Sequence, residues 1–351
     1  MLYVSKVNLQ INTARAKHIR SLIAANKNIQ NPLEFIFYNF KKPLQNLNLL
    51  KKLFFDILIF KKTVYTRDLE YAFIASIFNV KVIYEIHHFG MIRKTTRLFI
   101  LKRIFLNFLS KKYNVRFVTL TDYCSRVLKC LYPDIENLRI NIIPDAGGFL
   151  TKSNKKIDFN EGSLNKVSDY KISLSYAGSF MPGKGGVETI MLAQNLQKYK
   201  FNLAGNLDDI LKNKIKAMRN VNFFGYLNDL EIYNFYQASD ILIAPIGERI
   251  FLDNKQSNEI TFYTSPLKLY EYFCTDKPII TINRPSTRYF INMPGVWIIN
   301  KEKAYCAKTW EKVISEVFEY LKNTDKKSLL KSRKKYIYNW EKRIRNMIGI
   351  K

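Results

Sequence analysis

The chain has 351 residues, more than a single hydrophobic core serves comfortably, and 47% of them are hydrophobic, so a folded protein of two domains is expected rather than a disordered one. The formal charge of +28, from 57 basic and 29 acidic side chains, points to anionic partners: nucleic acid, an anionic membrane surface or phosphorylated substrates. The four cysteines form no CxxC pair, which argues against a zinc site or a disulfide framework and fits a reducing compartment. No run of eighteen apolar residues suggests a spanning helix, and MLYVSKVNLQINTARAKHIRS lacks the unbroken apolar core of a signal peptide.

In chain order, Leu2–Ser5 begins a strand, Ala14–Lys27 suits a helix and Leu33–Tyr38 a second strand. A basic apolar helix is expected over 45–60, then a strand at Thr63–Thr66, a helix at Asp68–Phe78 and a strand at Lys81–Ile86. Strands at Arg116–Leu120 and Arg139–Ile143, with a helix between them, complete this half. Two stretches mix bulky apolar residues with lysine, LLKKLFFDILIFKK at 49–62 and KTTRLFILKRIFLNFLSKK at 94–112. In the second, Leu98, Leu101, Phe105 and Phe108 share a helical face flanked by lysine and arginine. That pattern suits either a helix at an anionic membrane interface or one covering a sheet, its lysines reaching out to water.

Lys152–Asp169 is polar and without period, and reads as a linker. Alternation resumes with strands at Ile172–Ala177, Lys200–Leu203, Asn222–Phe224, Ile241–Ala244, Pro278–Ile282 and Val296–Ile299. Helices at Gly185–Gln197, Asp208–Ala217 and Leu230–Gln237 fill gaps between them. A final basic helix is expected over Lys331–Ile350, with Tyr336, Trp340, Ile344 and Met347 on one face. Strand and helix in turn imply mostly parallel sheets covered on both sides, hence two doubly wound α/β domains. The expected divisions are residues 1–155, 170–328 and a terminal helix at 329–351. Ligands of such sheets bind at the carboxyl ends of strands, so a cleft between the two domains is the expected site.

Two motifs carry chemistry. AGSFMPGKGG at 177–186 follows the first strand of the second half. Its glycines allow a tight turn and close approach to a ligand, and Lys184 stands just before a helix, where it can meet a diphosphate. The order is neither that of a Walker loop nor GxGxxG, so a plain glycine turn with a solvated lysine is the competing reading. TSPLKLYEYFCTDKPII at 264–280 reads as loop, short helix, loop and strand. Ser265 suits the N-cap and Pro266 the first helical position, while Leu267, Tyr270 and Cys274 give an inner face. Such a terminus attracts phosphate, although most capped helices bind nothing. Glu271 can accept bonds from two neighbouring hydroxyls such as those of a ribose. Lys268 can assist at the phosphate or pair with Glu271 across i,i+3.

In this order the segments resemble the retaining GT-B glycosyltransferases of family 4, especially those of bacterial surface-polysaccharide and lipopolysaccharide assembly. SPLKLYEYFCTDKPII resembles the nucleotide-sugar signature; AGSFMPGKGG, VNFFGYL (221–227), ASDILIAPI (238–246), VIYEIHH (82–88) and YNWEKRI (338–344) support it, and nearly the whole chain is covered. The resemblance implies a GT-B fold of two Rossmann-like domains, with the nucleotide-sugar donor on the second, the acceptor on the first and a last helix returning to the first. It implies His87, Lys184 and Glu271 as catalytic residues, with His88 less suited than His87. Donor binding would fall to Gly178, Ser179, Gly183, Lys184, Ser265, Pro266, Leu267, Lys268 and Glu271. Two positions depart from the family pattern: Tyr263 stands where a glutamate is common, and Ser179 where an arginine is common.

The implied reaction moves a sugar from a nucleoside diphosphate to a saccharide or lipid-linked acceptor with retention, without metal or other cofactor. The chain carries no convincing DxD pair. Peripheral attachment to the cytoplasmic face of an anionic membrane is expected, and nucleic acid is not. Two rival readings are a nucleotide-sugar epimerase on the same fold and a basic nucleic-acid-binding protein, the latter without a recognisable recognition motif.

Overall fold

The computed structural model describes residues 1–7, 9, 14–29, 33–38, 51, 54–87, 99–133, 135–136, 139–148, 172–229, 231–253, 256, 259–324 and 326–349. The expected linker at 152–169, His88, residues 94–98 and most of 45–53 lie outside them. The chain divides into two compact units. The first comprises Met1–Asp145, Phe262–Ser265 and Trp340–Lys351, the second Ala146–Thr261 and Pro266–Asn339.

The first unit is built on β1 (Leu2–Lys6), α1 (Ala14–Asn26), β2 (Glu34–Tyr38), β3 (Val64–Thr66), α2 (Leu69–Ile77), β4 (Val82–Ile86), α3 (Phe99–Ser110), β5 (Val115–Thr119), α4 (Asp122–Leu131) and β6 (Ile140–Ile142). Its sheet runs β2-β1-β3-β4-β5-β6, and every neighbouring pair is parallel. The inner strands are buried on both faces, as an interior parallel sheet requires: all five residues of β4 are buried. Thr121 caps α4 by accepting from Cys124 N at 3.1 Å.

Helix α3 keeps part of the expected face and shifts the rest. Leu101 is exposed, while Leu106 and Leu109 are fully buried and Phe105 lies partly buried beside them. Phe105 and Phe108 of the expected face do pack inward, since Phe73 of α2 stacks on Phe105 at 4.0 Å between centroids and meets Phe108 at 5.0 Å.

The second unit repeats the plan with β7 (Ser173–Ala177), α5 (Gly186–Asn195), β8 (Lys200–Ala204), α6 (Asp209–Lys216), β9 (Val221–Phe223), α7 (Glu231–Gln237), β10 (Ile241–Ala244), α8 (Leu267–Phe273), β11 (Ile279–Ile282), β12 (Val296–Ile299), α9 (Ala307–Asn323) and α10 (Lys326–Arg333). Strand order is β12-β11-β10-β7-β8-β9, again parallel throughout. Ile241, Leu242, Ile243 and Ala244 are all fully buried, and α9 seals one edge with Trp310, whose indole N–H donates to Ala304 O at 2.7 Å.

The expected single helix at 331–350 is two. α10 stops at Arg333, and α11 (Trp340–Ile348) belongs to the first unit. Arg333 causes the break. Its fully buried guanidinium donates to the carbonyls of Pro294, Thr275, Lys277 and Gly295, each at 2.9 Å, and so fixes the end of α10. Tyr338 then leaves the helical path, accepting from Gly147 N at 3.0 Å. Tyr336 is therefore not on the face that carries Trp340, Ile344 and Met347.

Candidate functional site

Each sheet reverses its strand order beside its first strand, and ligands of doubly wound sheets bind outside the carboxyl ends at such points. In the second unit the reversal lies between β7 and β10. The loop leaving β7 runs from Gly178 to Gly185 and opens α5. It is stitched to the segment leaving β10, since Gly247 N donates to Gly183 O at 3.1 Å and Phe251 N to Pro182 O at 3.3 Å. Gly183 has a φ of +79°, and a Cβ there would lie 1.8 Å from Arg249 O, so only glycine fits. Glu188 holds the loop from inside α5: its carboxylate accepts from Gly183 N and Gly185 N, both at 2.9 Å. Glu188 is absent from the residues expected from sequence, although its place three residues after Gly185 has the spacing of a capping box.

Lys268, from the first turn of α8, reaches this loop. Its Nζ donates to Lys184 O at 2.8 Å and to the Tyr176 hydroxyl, and lies 3.7 Å from the centre of the Tyr176 ring. A Cβ on Gly178 would come within 3.0 Å of that Nζ, which places the ammonium against the loop backbone. The Lys268–Glu271 pair is thus not what positions Lys268. Burial, reinforced by the neighbouring Lys184 charge, pushes the Lys268 amine well below the ordinary lysine range. Burial alone pushes Lys184 down to about 8. Two lysines are therefore held close together, each destabilised in its charged form; an anion set beside them would relieve both.

The start of α8 differs from the expectation. Pro266, not Ser265, occupies the N-cap position, with Leu267 as the first helical residue and no side-chain cap. The Ser265 hydroxyl instead accepts from Asp145 N at 3.0 Å, within the first unit. The inner-face expectation also gives way. Leu269, Tyr270, Glu271, Tyr272 and Phe273 are all buried, because α8 crosses beside β10 with other elements around it. Glu271 accepts from the Tyr236 hydroxyl at 3.2 Å, and Tyr272 OH accepts from Ala177 N at 3.2 Å. Ser179, exposed, turns its hydroxyl toward Met181 N at 3.2 Å. The structure therefore gathers Gly178, Gly183, Lys184 and Lys268 at one loop, holds Leu267 and Glu271 on the adjoining helix, and ties the Ser265 hydroxyl to Asp145 N rather than to the helix start.

His87 follows β4 in the first unit. Its Nε2 bonds the Glu85 carboxylate, and a fifth of its side chain stays accessible. Burial, then the Arg67 charge, lowers its pKa. Behind it, His18 is buried with its Nδ1 at 3.3 Å from Asp145 and its pKa pushed to about 3, chiefly by burial. Tyr263 packs edge-on against Tyr123 at 5.4 Å, in the same unit. The first unit also exposes apolar residues beside its lysines: Phe55, Ile59 and Phe60 near Lys61, and Ile100 and Ile104 on α3 near Arg103. Among the described residues no group of three or more His, Cys, Asp or Glu converges as a metal site, and no helix is long and apolar enough to cross a membrane.

No family model and no curated protein matches the sequence. Solved structures do match in shape. HepE from Anabaena, solved in complex with UDP, superposes with a TM-score of 0.61 at 12% identity, covering 99% of both chains. Sucrose-phosphate synthase from Thermosynechococcus elongatus gives 0.64 at 12% identity, over 99% of this chain and 97% of that one. WaaG, a glycosyltransferase involved in lipopolysaccharide biosynthesis, gives 0.54 at 14% identity over 96% and 99%. The fold is GT-B. Coverage of nearly the full length on both sides means that the likeness takes in both units, rather than one Rossmann-like half.

Proposed function

We propose that the protein is a glycosyltransferase of the retaining kind, which moves a sugar from a nucleoside-diphosphate donor to a saccharide or lipid-linked saccharide in surface-glycan assembly. One observation carries the reading most: Lys268 Nζ meets the Lys184 carbonyl on a glycine loop at the switch point of the second sheet. That is a seat for a diphosphate, and HepE of the same fold was solved with UDP. On this reading Gly178, Gly183, Lys184, Lys268 and the start of α8 at Pro266 and Leu267 take the phosphates. Glu271 takes the ribose hydroxyls, and His87 meets the transferred sugar.

In the reaction, the bond from the anomeric carbon to the phosphate oxygen breaks and its electron pair stays on the diphosphate. The acceptor oxygen bonds to that carbon, and its proton passes to the departing phosphate. The protein's contribution is electrostatic, with Lys184 and Lys268 receiving the charge as it grows. No metal is needed for that role, because the two ammonium groups replace it. The exposed apolar and basic residues of the first unit supply contact with an anionic membrane on the cytoplasmic side, bringing the enzyme to a lipid-linked acceptor.

The test is turnover against a panel of nucleotide sugars with and without acceptor. Free nucleoside diphosphate released only when acceptor is present supports transfer; a sugar epimer made without acceptor would replace it by the epimerase reading. Lys184→Ala is expected to keep its fold and lose turnover by about 10²–10³-fold, the size of a deleted charge-stabilising group. Turnover at the native rate in that variant would refute the electrostatic assignment.

A further inference from the structure

Glu85 lies on β4, the strand that His87 follows, and is almost wholly buried. A carboxylate there requires donors, and it has three: one from β3, one from α11 and one from the residue that follows its own strand. Tyr65 on β3 donates its hydroxyl to Oε2. Arg343 on α11 donates Nη2 to Oε1 at 3.0 Å, with both side chains fully buried. His87 directs Nε2 at the same Oε1. Burial raises the Glu85 carboxyl, but the Arg343 guanidinium and then His87 overcome it and hold the group well below the ordinary carboxylate range.

An ionised carboxylate only accepts, so the hydrogen on a bonded imidazole nitrogen must be on Nε2. The ring is neutral at pH 7, because burial and Arg67 lower its pKa. Nδ1 therefore carries the lone pair. Arg343 is itself locked, donating Nε to Pro144 O at 2.8 Å, with Nη1 lying 2.9 Å from Met347 Sδ. Trp340 of the same helix packs edge-on against His18 at 4.7 Å, and His18 in turn against His87 at 5.7 Å. If neutralising Arg343 were Glu85's only purpose, it would not have to share the same oxygen with a histidine that keeps an accessible edge.

We propose that Glu85 is a positioning residue for His87. It fixes the ring as the Nε2–H tautomer so that Nδ1 accepts a hydrogen bond from a hydroxyl of the transferred sugar, and Arg343 of the last helix keeps Glu85 ionised for that task. This rests on the reading that His87 meets the sugar. The terminal segment from Trp340 onward then serves the chemistry of the first unit, not only its packing.

The test labels the three histidines with ¹⁵N and reads their tautomers by two-bond NMR correlations, alongside kinetics with UDP-glucose as donor probe. Wild type should show His87 neutral and as Nε2–H. Glu85→Gln should admit the Nδ1–H form and lower kcat by about 10²–10³-fold, while the affinity for UDP alone stays within about twofold, since the proposed nucleotide seat is in the second unit. The acid limb of the pH–rate profile should move to lower pH, because the carboxylate that favours the protonated ring is gone. The other charged and titratable groups around His87 remain: Arg67 after β3, His18 on α1, Asp145 after β6 and Arg343 on α11. Glu85→Gln leaves Arg343 buried without its counter-charge, so Glu85→Gln/Arg343→Met keeps the test open if the single variant does not fold. It should show the same loss of kcat and of tautomer control. Wild-type His87 as Nδ1–H, or a folded double variant with unchanged tautomer and rate, would overturn the proposal. Full turnover in His87→Ala with the tautomer fixed in wild type would instead overturn the assignment of His87 to the sugar, and the two failures are thereby told apart.

Discussion

If the proposed donor seats its diphosphate at the glycine loop, the two lysines there make its binding a proton-linked event. Burial disfavours the charge on Lys184 and pushes its amine down to about 8. A diphosphate beside it returns the amine toward the ordinary lysine value of 10.5. Free protein at pH 8 then holds about half a proton on Lys184 and the complex about a full one, so binding should take up roughly half a proton at that pH. Lys268 is depressed in the same direction and adds to the uptake. The sign follows from the order of the two values. Below pH 7 Lys184 is charged with or without ligand, and affinity does not depend on it. As pH rises through 8 toward 10.5, the ligand must bind a site that has lost its proton, and affinity falls by about twofold at pH 8 and about tenfold at pH 9. Calorimetry with UDP-glucose measures this directly. The apparent enthalpy at pH 8 in buffers of different ionisation enthalpy has a slope equal to the protons taken up, and this donor has no phosphate proton of its own to exchange there. Lys184→Met should weaken binding and flatten the dependence, leaving only what Lys268 contributes. A slope of zero in the native protein, with binding intact, would refute the idea that the phosphates rest beside this pair.

The glycine loop predicts a contrast between two substitutions. Gly183→Ala must strain a φ of +79° and push against Arg249 O, so it should cost about 3 kcal/mol, seen as a lower midpoint in chemical denaturation, and abolish donor binding. Gly225→Ala, at φ +68° with nothing within 4 Å of the new Cβ, should cost only about 1 kcal/mol and bind normally. On the first unit, Ile100 and Ile104 are 62% and 56% exposed. Ile100→Ser/Ile104→Ser should therefore leave thermal stability within about 0.5 kcal/mol yet reduce sedimentation with anionic liposomes by at least tenfold, at about 1 kcal/mol for each apolar side chain withdrawn from lipid. Equal sedimentation of variant and native protein would remove α3 from any membrane contact.

What the sequence reveals, and what it conceals, follows from distance along the chain. The sheets are legible because interior parallel strands must be apolar on both faces, and runs such as Ile241–Ala244 admit few other readings. The glycine loop is legible because its turn, its lysine and its following helix are contiguous. Lys268 stands out as a candidate, but its partners do not. Helical spacing offers Glu271, whereas the atoms it meets belong to Tyr176 and Lys184, 92 and 84 residues away. Ser265 misleads for a related reason. A serine before a proline and a helix is a cap by local rules, but Asp145 N, 120 residues away, takes the hydroxyl first.

The surroundings of His87 are the least legible of all. Glu85 is visible in the sequence only as a charge inside a strand, and the partner that makes its burial tolerable, Arg343, lies 258 residues downstream on a helix that reads as an ordinary basic terminus. A charge in an otherwise apolar strand is the one local sign that such a partner must exist. In VIYEI that sign demands a cation from some distant part of the chain. The amphipathic last helix, with Arg343 next to its apolar Ile344 and one turn before Met347, is where that cation lies.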